Sequence, residues 1–158
     1  MRCAPFLLLA IVLSCTAFAW DNGELGVTFK HSPIIALVQV RESTFPIGGY
    51  RSIEDQIRSS RASATLVVIA SWKGPYHSGA TLRAVQPPVC AGYPCITYPF
   101  QVGEIVLVFA SECREPISPE PLSVVKEPEL RSLMTELYKL SLGEQGANNL
   151  FGIPCGPK

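Results

Sequence analysis

Four short apolar runs, each bounded by proline or glycine, constrain this chain more than any other feature. Residues 34–40 (IIALVQV), 64–72 (ATLVVIASW) and 104–110 (EIVLVFA) are nearly all apolar and rich in β-branched side chains, which predicts buried strands. Residues 80–86 (ATLRAVQ) alternate instead, with Leu82 and Ala84 set against Thr81 and Arg83, and predict a half-exposed strand. Pro33 opens the first run and Pro46-Ile47-Gly48-Gly49 ends it. Lys73-Gly74-Pro75 and His77-Ser78-Gly79 turn the chain after the second. Short strands joined this way predict an antiparallel sheet, and their mixed apolar faces predict closure into a small barrel.

The connections read differently. Residues 87–104 (PPVCAGYPCITYPFQVGE) hold four of the chain's 14 prolines together with Cys90 and Cys95. Each proline removes a ladder donor, so this is a loop, held by a disulfide, and not a central strand. Pro116, Pro119, Pro121 and Pro128 mark a second irregular connection. Residues 50–62 predict a long connection or a weak helix, and residues 20–32 one short helical turn. Leu130, Leu133, Met134 and Leu137, continued by Tyr138 or Leu140, recur at helical spacing. Pro128 suits the first position of that helix and Gly143 its stop, leaving residues 144–158 as a tail anchored through Cys155.

The first 19 residues have the pattern of a secretory signal peptide: Arg2, an apolar run over residues 6–13, and Ala17-Phe18-Ala19 before Trp20. The apolar run is too short for a bilayer span, which takes about 20 residues, and no later stretch is longer. The expected domains are a signal peptide at 1–19 and a single domain at 20–158, secreted or periplasmic. Val12-Leu13-Ser14-Cys15 also resembles a bacterial lipobox, and by that route Cys15 would be lipidated and anchor an envelope lipoprotein. Export leaves Cys90, Cys95, Cys113 and Cys155, which predicts two disulfides. Cys90–Cys95 with Cys113–Cys155 is the preferred pairing; the alternatives link the loop to Cys113 or Cys155.

Charge narrows the function classes. The chain balances 13 basic against 13 acidic residues, and loss of Arg2 makes this 12 against 13. A general nucleic-acid binder carries a basic face, and a disordered chain is more charged than the 16% found here. No nucleic acid is expected as partner.

The order of motifs in residues 64–110 resembles the netrin-like and tissue-inhibitor-of-metalloproteinase superfamily, in particular its secreted bacterial members. The matching pieces are Trp72-Lys73-Gly74, Gly79-Ala80-Thr81-Leu82, Cys90 or Cys95, Phe100-Gln101-Val102-Gly103 and Val106-Leu107-Val108-Phe109-Ala110. The strand at 34–40 fits that family's first barrel strand, so the resemblance covers about residues 30–113. It implies a mainly β fold, a small OB-type antiparallel β-barrel, here with a C-terminal α-helix, and a protein-binding role. The family's animal inhibitors chelate a protease zinc through a mature N-terminal cysteine. Here Trp20 stands at the expected mature terminus, so that residue does not carry over.

The candidate constellations point to structure more than chemistry. Cys90 and Cys95 are separated by four residues, where redox or zinc motifs use two. His31 and His77 are the only histidines; His77 beside Ser78 belongs to a turn, and there is no Gly-x-Ser-x-Gly or His-Glu-x-x-His. Glu54-Asp55 and Glu112/Glu115 sit in polar connections, and Arg51, Arg58 and Arg61 beside Tyr50 read as a solvated segment. No enzyme, cofactor or metal is expected. Trp72 and Phe100 are expected to plug the barrel, and Tyr76, Tyr93 and Tyr98 to form an interface to an unidentified protein partner. The expected state is a monomer or weak oligomer.

Overall fold

Strand β1 (Ile34–Ser43) is the element on which the rest assembles, because both of its faces are buried: Ile34, Ile35, Ala36 and Val38 are all inaccessible to solvent. The fold is that of a computed structural model, and the structure describes residues 22–48, 51–52, 54–55, 61–87 and 97–146. β1 pairs antiparallel with β2 (Ser63–Lys73) on one side and with β4 (Ile105–Ala110) on the other. β3 (Thr81–Val85) pairs with β2, and β5 (Val124–Val125) with β4. The described residues thus form a mainly β fold, one five-stranded antiparallel sheet in the order β3-β2-β1-β4-β5.

The two sheet faces have separate cores. Ile34, Ala36, Val38 and Val40 turn inward with Leu66, Val68, Leu82, Ala84, Val106 and Val108, closed over by Phe45, Phe100 and Ile117. Ile35 and Leu37 point outward with Leu107 and Phe109, beneath α1 (Asn22–His31) and the C-terminal helix α2 (Glu129–Gly146). Strands covered on both faces read as continuous apolar runs, and those covered on one face alternate. This accounts for the nearly continuous apolar runs of β1 and β4 and for the alternation of β3, where Leu82 and Ala84 are buried and Thr81 and Arg83 exposed.

The sheet does not close through a strand ladder, so the described residues form an open sheet where a barrel was expected. Its β3 edge is nevertheless occupied. A single parallel bridge joins Ala84 to Ile117. The Val85 N–H donates to Ile117 O at 2.9 Å, and the Ile117 N–H donates to Arg83 O at 2.9 Å. The Arg83 N–H donates to the Glu115 carboxylate at 3.1 Å. Proline at 116 and 119 prevents this segment from becoming a full strand.

Three elements depart from the sequence reading. The short turn expected in residues 20–32 is a ten-residue helix, α1. Of its described side chains Phe29 alone is buried, so contact with the sheet holds it, not intrinsic propensity. α2 begins after Pro128 and runs through Gly143 to Gly146, since an internal glycine weakens a helix by only about 1 kcal/mol. Trp72 is not a barrel plug. It is half-buried and packs with the outer cluster beside Ala70 and Met134, whereas Phe100 does plug the inner one, at 0% exposure.

Candidate functional site

The C-terminal ends of β1 and β3 and the N-terminal ends of β2 and β4 share one end of the sheet, as their registers require. The two long connections, 44–62 and 86–104, both leave from this end. Their described stems are tied together. Ser43 Oγ donates to Phe100 O at 2.6 Å and accepts the Phe45 N–H at 3.1 Å. Gln101 Nε2 donates to Pro46 O at 3.0 Å and to Pro99 O at 2.8 Å. The ring of Phe100 meets Phe45 and Tyr98 edge-on, with centroids 5.9 and 5.0 Å away. Gly103, at φ +88°, makes the turn that returns the chain to β1, its N–H donating to Val40 O at 2.9 Å.

Tyr98 completes this base. Its hydroxyl lies 3.2 Å from both oxygens of Glu104, to which it donates, and Glu104 Oε2 also accepts the Gln101 N–H at 3.0 Å. Burial of the phenol, helped by the Glu104 charge and hydrogen bond, pushes its pKa up to about 12. Tyr98 is 9% exposed and belongs to the inner core, so it is not a free interface anchor. Tyr76 is half-buried against the same cluster. Tyr93, Cys90, Cys95, Cys155 and Cys15 lie outside the described residues. Cys113 is half-buried and makes no disulfide among the described residues. It follows β4 at the sheet end opposite the stems of the cysteine loop.

The polar constellations do local work. Ser52 Oγ accepts the Asp55 N–H at 3.1 Å, and hydrogen bonds from the backbone and from Ser52 hold the Glu54 carboxyl below its ordinary range. Glu112 Oε1 accepts the Ser118 N–H at 3.1 Å, while Glu115 latches β3. His31 ends α1 and His77 lies in the β2–β3 turn, both exposed. Among the described residues no group of three or more His, Cys, Asp or Glu could hold a metal ion, and no helix is long and apolar enough to cross a membrane.

Trp72-Lys73-Gly74 builds scaffold. Lys73 Nζ donates to Phe29 O at 2.7 Å and to Lys30 O at 3.4 Å, and stands 4.8 Å from the Phe29 ring centre. It thus caps the C-terminal end of α1, where unpaired carbonyls favour a cation. Gly74 takes φ +104°, and a Cβ there would sit 3.3 Å from Ile34 Cγ1.

The helices cover only part of the outer sheet face. Leu37 and Leu107 lie beneath them at 7% and 0% exposure, while Ile105 is 46% and Ile69 40% exposed. Sequence patterning offered no signal for this division, because Ile69 and Ile105 belong to the same apolar runs as their buried neighbours.

Compared with known protein families, curated proteins and solved structures, the chain matches none. Its class therefore rests on the fold and on these surfaces: an open five-stranded antiparallel sheet, helix-covered on part of one face, with two long connections at one end.

Proposed function

We propose that this chain is an exported, non-enzymatic protein-binding module on an OB-type scaffold of the netrin-like and tissue-inhibitor-of-metalloproteinase kind. The observation that carries the reading is the gathering of connections 44–62 and 86–104 at one end, on a base fixed by Ser43, Phe100, Gln101 and the Tyr98–Glu104 pair. Recognition residues commonly sit on loops positioned by such a rigid scaffold. The strand order supports the OB-type assignment, since a five-stranded Greek-key barrel opened between β3 and β5 would give it. The parallel bridge from Ala84 to Ile117 lies where such a barrel would close. The motifs behind the resemblance are consumed in the scaffold: Trp72-Lys73-Gly74 docks α1, and Phe100 and Gly103 plug and turn. Recognition then falls to the loops and the open surface, because fold alone does not fix function.

The test begins with intact-mass and N-terminal analysis of the exported protein under non-reducing conditions. A Trp20 terminus with two disulfides among Cys90, Cys95, Cys113 and Cys155 is expected. A diacylated Cys15 terminus would replace free export with the envelope-lipoprotein reading that Val12-Leu13-Ser14-Cys15 favours. Chemical cross-linking in the exporting host then asks for one stoichiometric protein partner, retained by the wild-type chain and lost when residues 88–96 are replaced by a Gly-Ser linker. The absence of any such partner refutes the binding reading.

A further inference from the structure

We propose that residues 147–158 turn back along α2 as a strap, laying Phe151 and Ile153 over the exposed Leu142 and Tyr138. The inference is independent of the protein-binding reading. It concerns what shields the solvent side of the C-terminal helix.

The two sides of α2 differ. Leu130, Leu133 and Leu137 are buried in the outer core, with Met134 and Leu140 partly so. The opposite side carries Arg131, Thr135, Tyr138 and Leu142, about one turn apart in succession and all exposed. Its first half is polar, as the solvated face of a surface helix is. Its second half is apolar, with Tyr138 61% and Leu142 51% exposed. A single exposed leucine is ordinary, but this pair is confined to the stretch of helix that adjoins the departing chain.

The sequence after α2 carries the matching half. In residues 147–158 (ANNLFGIPCGPK), Phe151, Ile153 and Cys155 stand at alternate positions, with Gly152, Pro154 and Gly156 between them. Glycine and proline disfavour a helix, and the alternation gives an extended chain one apolar side. Spacing then sets the register. A helix rises about 1.5 Å per residue, so Leu142 and Tyr138 lie about 6 and 12 Å back from Gly146. An extended chain covers about 3.3 Å per residue, so Phe151 and Ile153 lie about 7 and 13 Å beyond Asn149. Glycine and asparagine favour the turn that follows a helix, and Gly146, Asn148 and Asn149 supply them. A turn over 147–149 therefore brings Phe151 level with Leu142 and Ile153 level with Tyr138.

The tether selects this occupant over a separate one. A stable interface between separate chains buries about 800 Å² on each partner. Two side chains beside Arg131 and Lys139, which are already paired with Glu127 and Glu136, fall far short of that. A joined segment needs much less, because a short link holds it at an effective concentration of about millimolar.

The experiment is proton–proton Overhauser spectroscopy of the whole chain with assigned aromatic and methyl groups. The expected contacts run from the Phe151 ring to the Leu142 methyls and from the Ile153 methyls to the Tyr138 ring. In Phe151→Ser with Ile153→Ser, amides in the last two turns of α2 should exchange about 10-fold faster, and those of Leu133 and Leu137 should not change. Neither variant position lies in the cores, so the sheet remains a folded reference. Absence of these contacts overturns the proposal, and so does unchanged exchange in the double variant. Contacts that arise only between differently labelled copies assign this face to a second copy and overturn the strap as well.

Discussion

Replacing Lys73 by Met tests whether the Trp72-Lys73-Gly74 motif exists to hold α1. The substitution keeps most of the apolar stem and removes the ammonium. Three contacts go with it: the 2.7 Å bond to Phe29 O, the 3.4 Å contact with Lys30 O, and the approach to the Phe29 ring at 4.8 Å. A charged hydrogen bond contributes about 1.5–3 kcal/mol net, a cation at a helix C-terminus about 0.3–1, and an exposed cation–π contact about 0.5–1. These overlap, and Lys73 is only half-buried, so the expected loss is about 1–2 kcal/mol. That corresponds to about 5- to 30-fold in an opening equilibrium. The assay is amide hydrogen exchange resolved by segment. Amides of α1 should exchange faster by about that factor, and amides of α2 that exchange by local opening should not change, because α1 stays docked when α2 opens. Unchanged protection of α1 refutes the clamp. Equal acceleration in both helices shows that Lys73 supports the whole fold instead.

Two further outcomes follow from the cores. The Tyr98 phenol, pushed up to about 12 from 10.0, is favoured in its neutral form by folding. That contribution is intact below about pH 10, where the phenol of the unfolded chain is still neutral, and is lost as pH rises toward about 12. An absorbance titration of tyrosinate should show a late-ionising component that disappears in Tyr98→Phe; a late component that survives the substitution, or none in the wild type, rules out the Glu104 pocket. Leu137→Ala, at a residue of α2 with 0% exposure in the outer core, should cost about 2–5 kcal/mol in a urea melt; a loss under about 1 kcal/mol means α2 does not depend on the outer core.

How much of this was legible in the sequence depended on where the stabilising contact lies. β1 and β4 were readable because burial on both faces leaves a nearly continuous apolar run, and β3 because burial on one face leaves an alternation. α2 carries its own stripe in Leu130, Leu133 and Leu137. α1 was largely hidden, since Gly23, Gly26 and Thr28 are weak helix formers and the capping cation comes from Lys73, more than forty residues on. β5 is two residues long and gives no periodicity. Tyr98 was misjudged because Thr-Tyr-Pro-Phe in a proline-rich loop reads as surface; only the turn at Gly103 brings Glu104 under its hydroxyl. The exposure of Ile69 and Ile105 was invisible for a different reason. Which part of the outer face the helices leave bare is set by how far α1 and α2 extend over the sheet, a tertiary quantity with no local signature.

The latch on β3 also bears on how long the protein stays dispersed. A bare edge strand is a template, and at high concentration it recruits other chains into fibres. Here the outward Arg83 and Val85 amides are spoken for by the Glu115 carboxylate and the Ile117 carbonyl. One half of that closure hangs on a single exposed side chain, so Glu115→Ala should bare the Arg83 amide and shorten the time for which a concentrated solution stays clear.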